Sequence, residues 1–205
     1  MTALAQPAWI TVAEYVAFED ASPIKHEYYN GEVFAMAGGS PAHADIIFNV
    51  SVAIGSLLRG KPCRGSSSDQ RVKVESSGLF TYPDVLVKCP PERYAPEDPH
   101  SLLNPTVIFE VLSPSTATYD RTTKFDHYQT IPELREYVLV SQDRVRVEHF
   151  ARMESGAWTL IVLLQREDVL HLSSLEVALP VGEFYEGLDV PAGLMALTQT
   201  DASRT

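Results

Sequence analysis

The segment from Thr106 to Leu112 is nearly all apolar and β-branched or aromatic, and the break in it is Glu110. Such a run reads as a strand buried on both faces in the middle of a sheet, because a half-exposed strand would alternate instead. An ionised carboxylate in that position costs several kcal/mol unless something pairs with it, hydrogen-bonds it or coordinates it. Glu110 therefore needs a partner elsewhere in the chain.

Pro83-Asp84 opens the strand expected before it, Tyr82 to Lys88, and neighbouring strands joined by the connection 90–105 can set Asp84 beside Glu110 near one end of the sheet. Two close carboxylates repel, so either one is protonated or a cation sits between them. Oxygen-only ligation suits Mg2+ or Mn2+, with waters and substrate phosphate completing the shell. The competing reading makes Asp84 a turn residue at a strand start and Glu110 half of a buried ion pair with an arginine such as Arg71. Lys124, one turn after Asp120, can bring an ammonium to the two acids and orient a water or stabilise a phosphoryl transition state. By spacing alone it is an exposed i, i+4 partner of Asp120, worth a few tenths of a kcal/mol.

Local signals organise the rest. Thr11 and Glu14 have capping-box spacing ahead of Val12, Tyr15, Val16 and Phe18, which predicts a short opening helix ended by Ala21-Ser22-Pro23. Lys25 to Tyr29 and Glu32 to Met36 flank Asn30-Gly31 and read as an antiparallel hairpin. His43, Ile47, Val50, Ile54 and Leu58 recur at helical spacing, so a helix is expected from about Ala42 to Leu58. Beyond it the signals predict a loop from Gly60 to Ser68, strands at Arg71 to Val74 and Tyr82 to Lys88, and a long proline-rich connection from Pro90 to Pro105. A helix from about Asp120 to Gln129, with Asp120 as N-cap, precedes strands at Glu136 to Ser141, Arg144 to Ala151 and Trp158 to Leu164. With no internal repeat and no linker, residues 1–190 are expected to form one domain, followed by a polar tail, 191–205.

Charge narrows the function classes. Sixteen Lys and Arg against 27 Asp and Glu give a formal charge of -11, which argues against nonspecific affinity for polyanions. A net value can hide a patch, and Arg59, Lys61, Arg64, Arg71 and Lys73 face one acid, Asp69, within residues 59–73. Cys63 and Cys89 cannot build a four-thiolate zinc site; with no secretory leader in Met1 to Trp9, a disulfide is little expected and a cytoplasmic location is. No apolar run approaches the roughly 20 residues of a membrane helix. A Gly-x-Ser-x-Gly elbow, a Walker loop and a paired-His zinc motif are all missing from the sequence.

The succession Tyr28-Tyr29-Asn30-Gly31-Glu32-Val33, His43 opening a helix, Tyr82-Pro83-Asp84-Val85, Phe109-Glu110-Val111-Leu112-Ser113-Pro114-Ser115-Thr116, then Asp120, Lys124, Tyr128 and Glu136-Tyr137-Val138-Leu139-Val140 resembles the Uma family (Uma two) of restriction endonucleases, within the PD-(D/E)XK nuclease superfamily. The resemblance runs from about Thr11 to Tyr185. It implies a restriction-endonuclease-like α/β fold, a central mixed β-sheet flanked by helices with additional antiparallel strands, and Mg2+-dependent hydrolysis of DNA phosphodiesters, Mn2+ being an alternative. By that likeness Asp84 and Glu110 match the metal-binding acids. The superfamily pattern carries a lysine two residues after the second acid; here that position is Leu112, and Lys124 on the following helix is the matching candidate. Glu32 and His43 match further polar positions, against the plainer readings of a surface hairpin acid and a capping or core histidine. Arg64, Gln70, Arg71 and Lys73 are the candidates for contact with the DNA backbone. Cutting both strands with one site per chain is most simply done by a two-fold homodimer. The alternative function is a noncatalytic nucleic-acid- or protein-binding module that keeps the nuclease fold.

Overall fold

The computed structural model describes residues 9–36 and 38–193. Thr11 caps the first helix, α1 (Val12–Ala21): its hydroxyl accepts the Glu14 N–H while the Glu14 carboxylate takes the Thr11 N–H at 2.7 Å. Asn30 and Gly31 adopt φ of 51° and 83° and close the hairpin of β1 (His26–Tyr29) and β2 (Glu32–Ala35), the left-handed pair that a two-residue turn of this kind requires. Ser40 as N-cap and Pro41 in the first turn start α2 (Pro41–Leu57), which buries Ile46, Val50, Ala53 and Ile54 on one face.

Two six-stranded sheets carry the fold. The first runs β2-β1-β5-β4-β8-β7, with β4 (Arg71–Val74), β5 (Leu79–Thr81), β7 (Tyr94–Ala95) and β8 (Asp98–Leu102). The second runs β12-β11-β10-β9-β6-β3, with β3 (Arg64–Ser67), β6 (Val85–Lys88), β9 (Pro105–Leu112), β10 (Glu136–Ser141), β11 (Val147–Arg152) and β12 (Trp158–Leu163). Strands β9 and β10 are parallel at its centre, with antiparallel β6 and β11 outside them. Alternate residues of β9 serve two cores: Val107, Phe109 and Val111 pack toward Ile46, Val50 and Ile54 of α2, while Ile108 and Leu112 join Val72, Leu79 and Tyr128. The run around Glu110 is thus buried on both faces, as its composition predicts.

Several elements differ from expectation for identifiable reasons. The loop expected over residues 60–68 contains β3, whose Arg-Gly-Ser-Ser sequence carries no apolar signal because the strand lies at a sheet edge. The strand expected from Tyr82 to Lys88 starts only at Val85, as β6: β5, which was not expected, ends at Thr81 in the other sheet, and Pro83 and Asp84 lie in the crossing. The connection 90–105 folds as the β7–β8 pair. Thr116, not Asp120, stands before the helical segment 117–128, whose middle, Asp120–Lys124, is a π-helix between α-helical Ala117–Tyr119 and Phe125–Tyr128. Strand β11 begins at Val147 instead of Arg144, and β13 (Val169–Leu172) pairs with β14 (Val177–Pro180) where nothing was expected.

Cys63 and Cys89 form a disulfide, against expectation, because the β3–β6 pairing that sets Arg64 opposite Lys88 brings their flanking residues together. Among the described residues no helix is long and apolar enough to cross a membrane. The polar tail lies largely outside the described residues, which end at Gly193.

Candidate active site

The crossing between sheets places Asp84 next to β9. With Val85 opposite Phe109, the Asp84 N–H donates to Glu110 Oε2 at 3.3 Å and Asp84 Oδ2 accepts the Val111 N–H at 2.7 Å, so each acid is braced by the other strand's backbone. Glu110 projects to the even-numbered face of β9, where the 117–128 segment lies. From it Lys124 Nζ meets Glu110 Oε1 at 2.8 Å, and Tyr128 Oη donates to the same oxygen at 3.1 Å. Lys124 also lies 3.4 Å from Glu27 Oε1 and 3.8 Å from Asp120 Oδ1. Glu27 is held by the Thr81 hydroxyl and by Tyr119 Oη at 3.3 Å. His43, in the first turn of α2, gives its backbone N–H to the Ser40 cap and sets Nε2 3.5 Å from Asp84 Oδ2. The π-helix that supplies Asp120 and Lys124 coincides with this cluster, as such irregular turns frequently do.

Burial governs its electrostatics. Glu110, Asp120 and Lys124 are 3, 5 and 4% exposed. Burial raises Glu110 well above the carboxylate range, and the Asp84 and Asp120 charges add to that against the opposing pull of Lys124. Asp120 is raised for the same leading reason. Burial alone would lower Lys124, but Glu110, Tyr128, Glu27 and Asp120 outweigh it and hold the ammonium well above its ordinary value. Burial likewise opposes the charged form of His43, and the Asp84 hydrogen bond and charge overcome it, so its value is raised.

Three carboxylates, Glu27, Glu110 and Asp120, thus surround one ammonium, and Asp84 joins the cluster through Glu110. Among the described residues no three His, Cys, Asp or Glu side chains are grouped so that they could hold a metal ion together. The donor chemistry nevertheless fits Mg2+, an ion commonly held by one or two carboxylates with water and phosphate. Glu110 Oε1 is engaged by Lys124 and Tyr128, whereas Glu110 Oε2 meets one backbone N–H at 3.3 Å and nothing among the described residues hydrogen-bonds Asp84 Oδ1.

Residues 12–182 match the family model Uma2, described as "Putative restriction endonuclease". The chain belongs to the Uma2 family. An uncharacterized protein of Synechocystis sp. is 35% identical over 175 residues, covering 85% of this chain and 90% of its own length. A second from the same organism is 32% identical over 177 residues, 86% of this chain and 100% of its own. The crystal structure of a "putative nuclease belonging to DUF820" from Anabaena variabilis matches with a TM-score of 0.68 over 88% of this chain and 98% of that one. At 15% identity that likeness is one of fold, and it is the mixed α/β fold expected.

In this Uma2 protein Asp84, Glu110, Lys124 and His43 come together, and Lys124, from the helical segment, is in contact with Glu110. Glu32 does not join them: it is exposed beside the hairpin turn, opposite Tyr29, while Glu27 from the same hairpin reaches Lys124. Sequence reasoning missed Glu27, although a charged residue between the buried ring residues His26 and Tyr28 already pointed to the opposite face. Asp120 is a buried member of the cluster and not a solvent-exposed helix acid.

The expected phosphate-binding stretch folds differently. Arg71 is buried and pairs with Asp20 at 3.1 Å and Asp98 at 3.0 Å, so it is neither Glu110's partner nor free for a ligand. Lys73 pairs with Glu97. Gln70 Nε2 donates to the Arg71 and His100 carbonyls, and its Oε1 accepts from Lys88. Arg64 alone of those four candidates is exposed.

Proposed function

We propose that this Uma2 protein is a Mg2+-dependent endonuclease that hydrolyses DNA phosphodiester bonds, with Mn2+ able to replace Mg2+. The observation that carries the reading is the 2.8 Å contact between Lys124 and a Glu110 that is itself cross-braced to Asp84: two acids and a charged ammonium in one cluster, drawn from three separate stretches of the chain. Asp84 and Glu110 would hold the ion, through the oxygens that protein donors leave least occupied. An ion held by these two acids would supply polarisation of a phosphoryl oxygen and a lowered pKa for a bound water. Lys124, kept charged by the surrounding carboxylates, orients the attacking water and offsets charge developing on the phosphoryl oxygens. Tyr128 fixes the Glu110 rotamer through its 3.1 Å hydrogen bond, and His43 orients the Asp84 carboxylate from 3.5 Å. Cleavage of both strands by one site per chain favours a two-fold homodimer.

Nicking of supercoiled plasmid, followed in Mg2+, Mn2+ and EDTA, tests this. Wild type is expected to cut only with metal, and Asp84→Ala to fold and not cut. Wild-type-like cleavage by Asp84→Ala overturns the assignment of the site; a folded wild type that cuts neither duplex nor single-stranded DNA overturns the enzyme and favours the binding module.

A further inference from the structure

The basic stretch of residues 59–73 is largely absorbed into internal contacts, yet the acidic cluster of a nuclease must admit a polyanion. A different group of arginines lies next to that cluster. Beyond the carboxyl ends of the parallel strands β9 and β10, where Leu112 pairs with Ser141, a cavity of about 350 Å3 is lined by Ser113, Gln142, Arg121, Arg144 and Arg146. Crevices at the carboxyl ends of parallel strands are where open α/β sheets commonly bind ligands. Leu112 is two residues beyond Glu110, about 7 Å along the strand, or roughly two nucleotides along a duplex axis. Arg121 stands on the same π-helical segment as Lys124, so one element serves both the acids and this cavity.

The cavity's charges are unevenly matched. Buried Glu148 takes two guanidinium groups at once: Arg121 through Nε and Nη2 at 3.2 and 2.9 Å, and Arg146 through Nε at 2.8 Å. One carboxylate therefore aims two forks while cancelling one charge. Arg144 is 55% exposed and meets only its neighbour Asp143, which is 61% exposed. Ser113 and Gln142 add neutral polar groups, with Gln142 held by the Ser40 hydroxyl at 2.7 Å. Planar donors fixed by a buried acid and lining a cavity match the oxygens of a phosphodiester backbone.

Resting on the nuclease reading above, we infer that Arg121, Arg144 and Arg146 form the phosphate clamp that seats the nucleic-acid backbone beside Asp84 and Glu110. Binding is measured by fluorescence anisotropy of a labelled DNA duplex across a salt series in EDTA, and cleavage by steady-state plasmid nicking in Mg2+. The slope of log Kobs against log salt is expected to fall by about 1 for Arg144→Gln and about 2 for Arg144→Gln with Arg146→Gln. KM rises while kcat is retained, because Lys124 and the acids are untouched. Arg93→Gln with Arg135→Gln, at the other end of the sheet, removes the same charge and leaves both readouts unchanged. Wild-type slope and KM in the clamp variants, or an equal loss in the distant pair, overturns the clamp while wild-type cleavage leaves the nuclease standing. A slope that depends on the clamp, with no cleavage by wild type, supports the clamp and overturns the nuclease; no DNA binding by wild type overturns both. Arg144→Gln, at an exposed position, keeps the test valid should the double variant unfold.

Discussion

Glu110 and Glu136 stand on neighbouring strands of one sheet, 3 and 2% exposed, and the protein treats them in opposite ways. Their positions are staggered: Glu110 lies opposite Leu139 near the carboxyl end of β9, and Glu136 opposite Val107 at the start of β10. Burial raises both acids. Around Glu110 the fold gathers an ammonium, a phenol and three further carboxylates. Around Glu136 it supplies the Ser174 hydroxyl at 2.9 Å and backbone N–H at 3.4 Å, and the His149 ring at 3.8 Å with no hydrogen bond between ring and acid. Burial pushes His149 down to about 4, so at neutral pH that contact involves an uncharged ring and is not an ion pair. The comparison teaches that this sheet can bury an acid with neutral partners. The ammonium and clustered carboxylates at the other end are therefore a separate feature, not a requirement of burying an acid in this sheet.

The sharpest way to break this contrast is to remove each acid. Glu110→Gln is expected to reduce metal-dependent cleavage by two to three orders of magnitude or more, the scale for losing one preorganised transition-state contact. Glu136→Gln is expected to leave kcat and KM at wild-type values; an equal loss in the two variants would erase the distinction. Stability separates them next. Lys124→Met removes the counter-charge that Glu110, Glu27 and Asp120 share and is expected to cost about 3–5 kcal/mol in urea unfolding, part of it recovered when Glu110→Gln is added. Glu136→Gln keeps an acceptor for Ser174 and is expected to shift stability by less than about 1 kcal/mol.

A further contrast is a pH dependence on the acid side of neutrality. Because the His149 value is depressed in the folded state, the unfolded chain binds the extra proton between its ordinary 6.5 and about 4. That contribution to stability is complete above pH 6.5 and is lost as pH falls through this window. His149→Phe is expected to flatten the corresponding part of the stability profile, measured by chemical unfolding in a buffer series. An unchanged slope would mean that His149 is already protonated in the native state and that Glu136 has a charged partner after all.

Part of the site was legible because it violated a local rule. Glu110 in an apolar run demanded a partner and Pro83-Asp84 marked the neighbouring strand, whereas Lys124, by spacing an exposed partner of Asp120, was singled out by the family resemblance; all three meet in the structure. The remainder depended on faces and distances that local pattern leaves open. Hairpin pairing sets Glu27 and Glu32 on one face, but Glu32 is one pleat nearer the turn, and only the packing of the 117–128 segment distinguishes them. The basic character of Arg71 and Lys73 was plain, whereas their neutralisation by Asp20, Asp98 and Glu97 rests on partners 24 to 51 residues away in the chain.

By itself the sequence determined the elements whose physics is local: the capping box at Thr11, the Asn30-Gly31 hairpin, the periodic face of α2 and the doubly buried β9. These need only side-chain spacing, permitted φ values and burial. The tertiary structure decided where the chain crosses between sheets at Asp84, that Cys63 meets Cys89, which acids surround Lys124, and which arginines line the cavity beyond β9 and β10. The physical reason is that a charge's role depends on what lies within a few ångströms of it in space, and those neighbours come from distant parts of the chain.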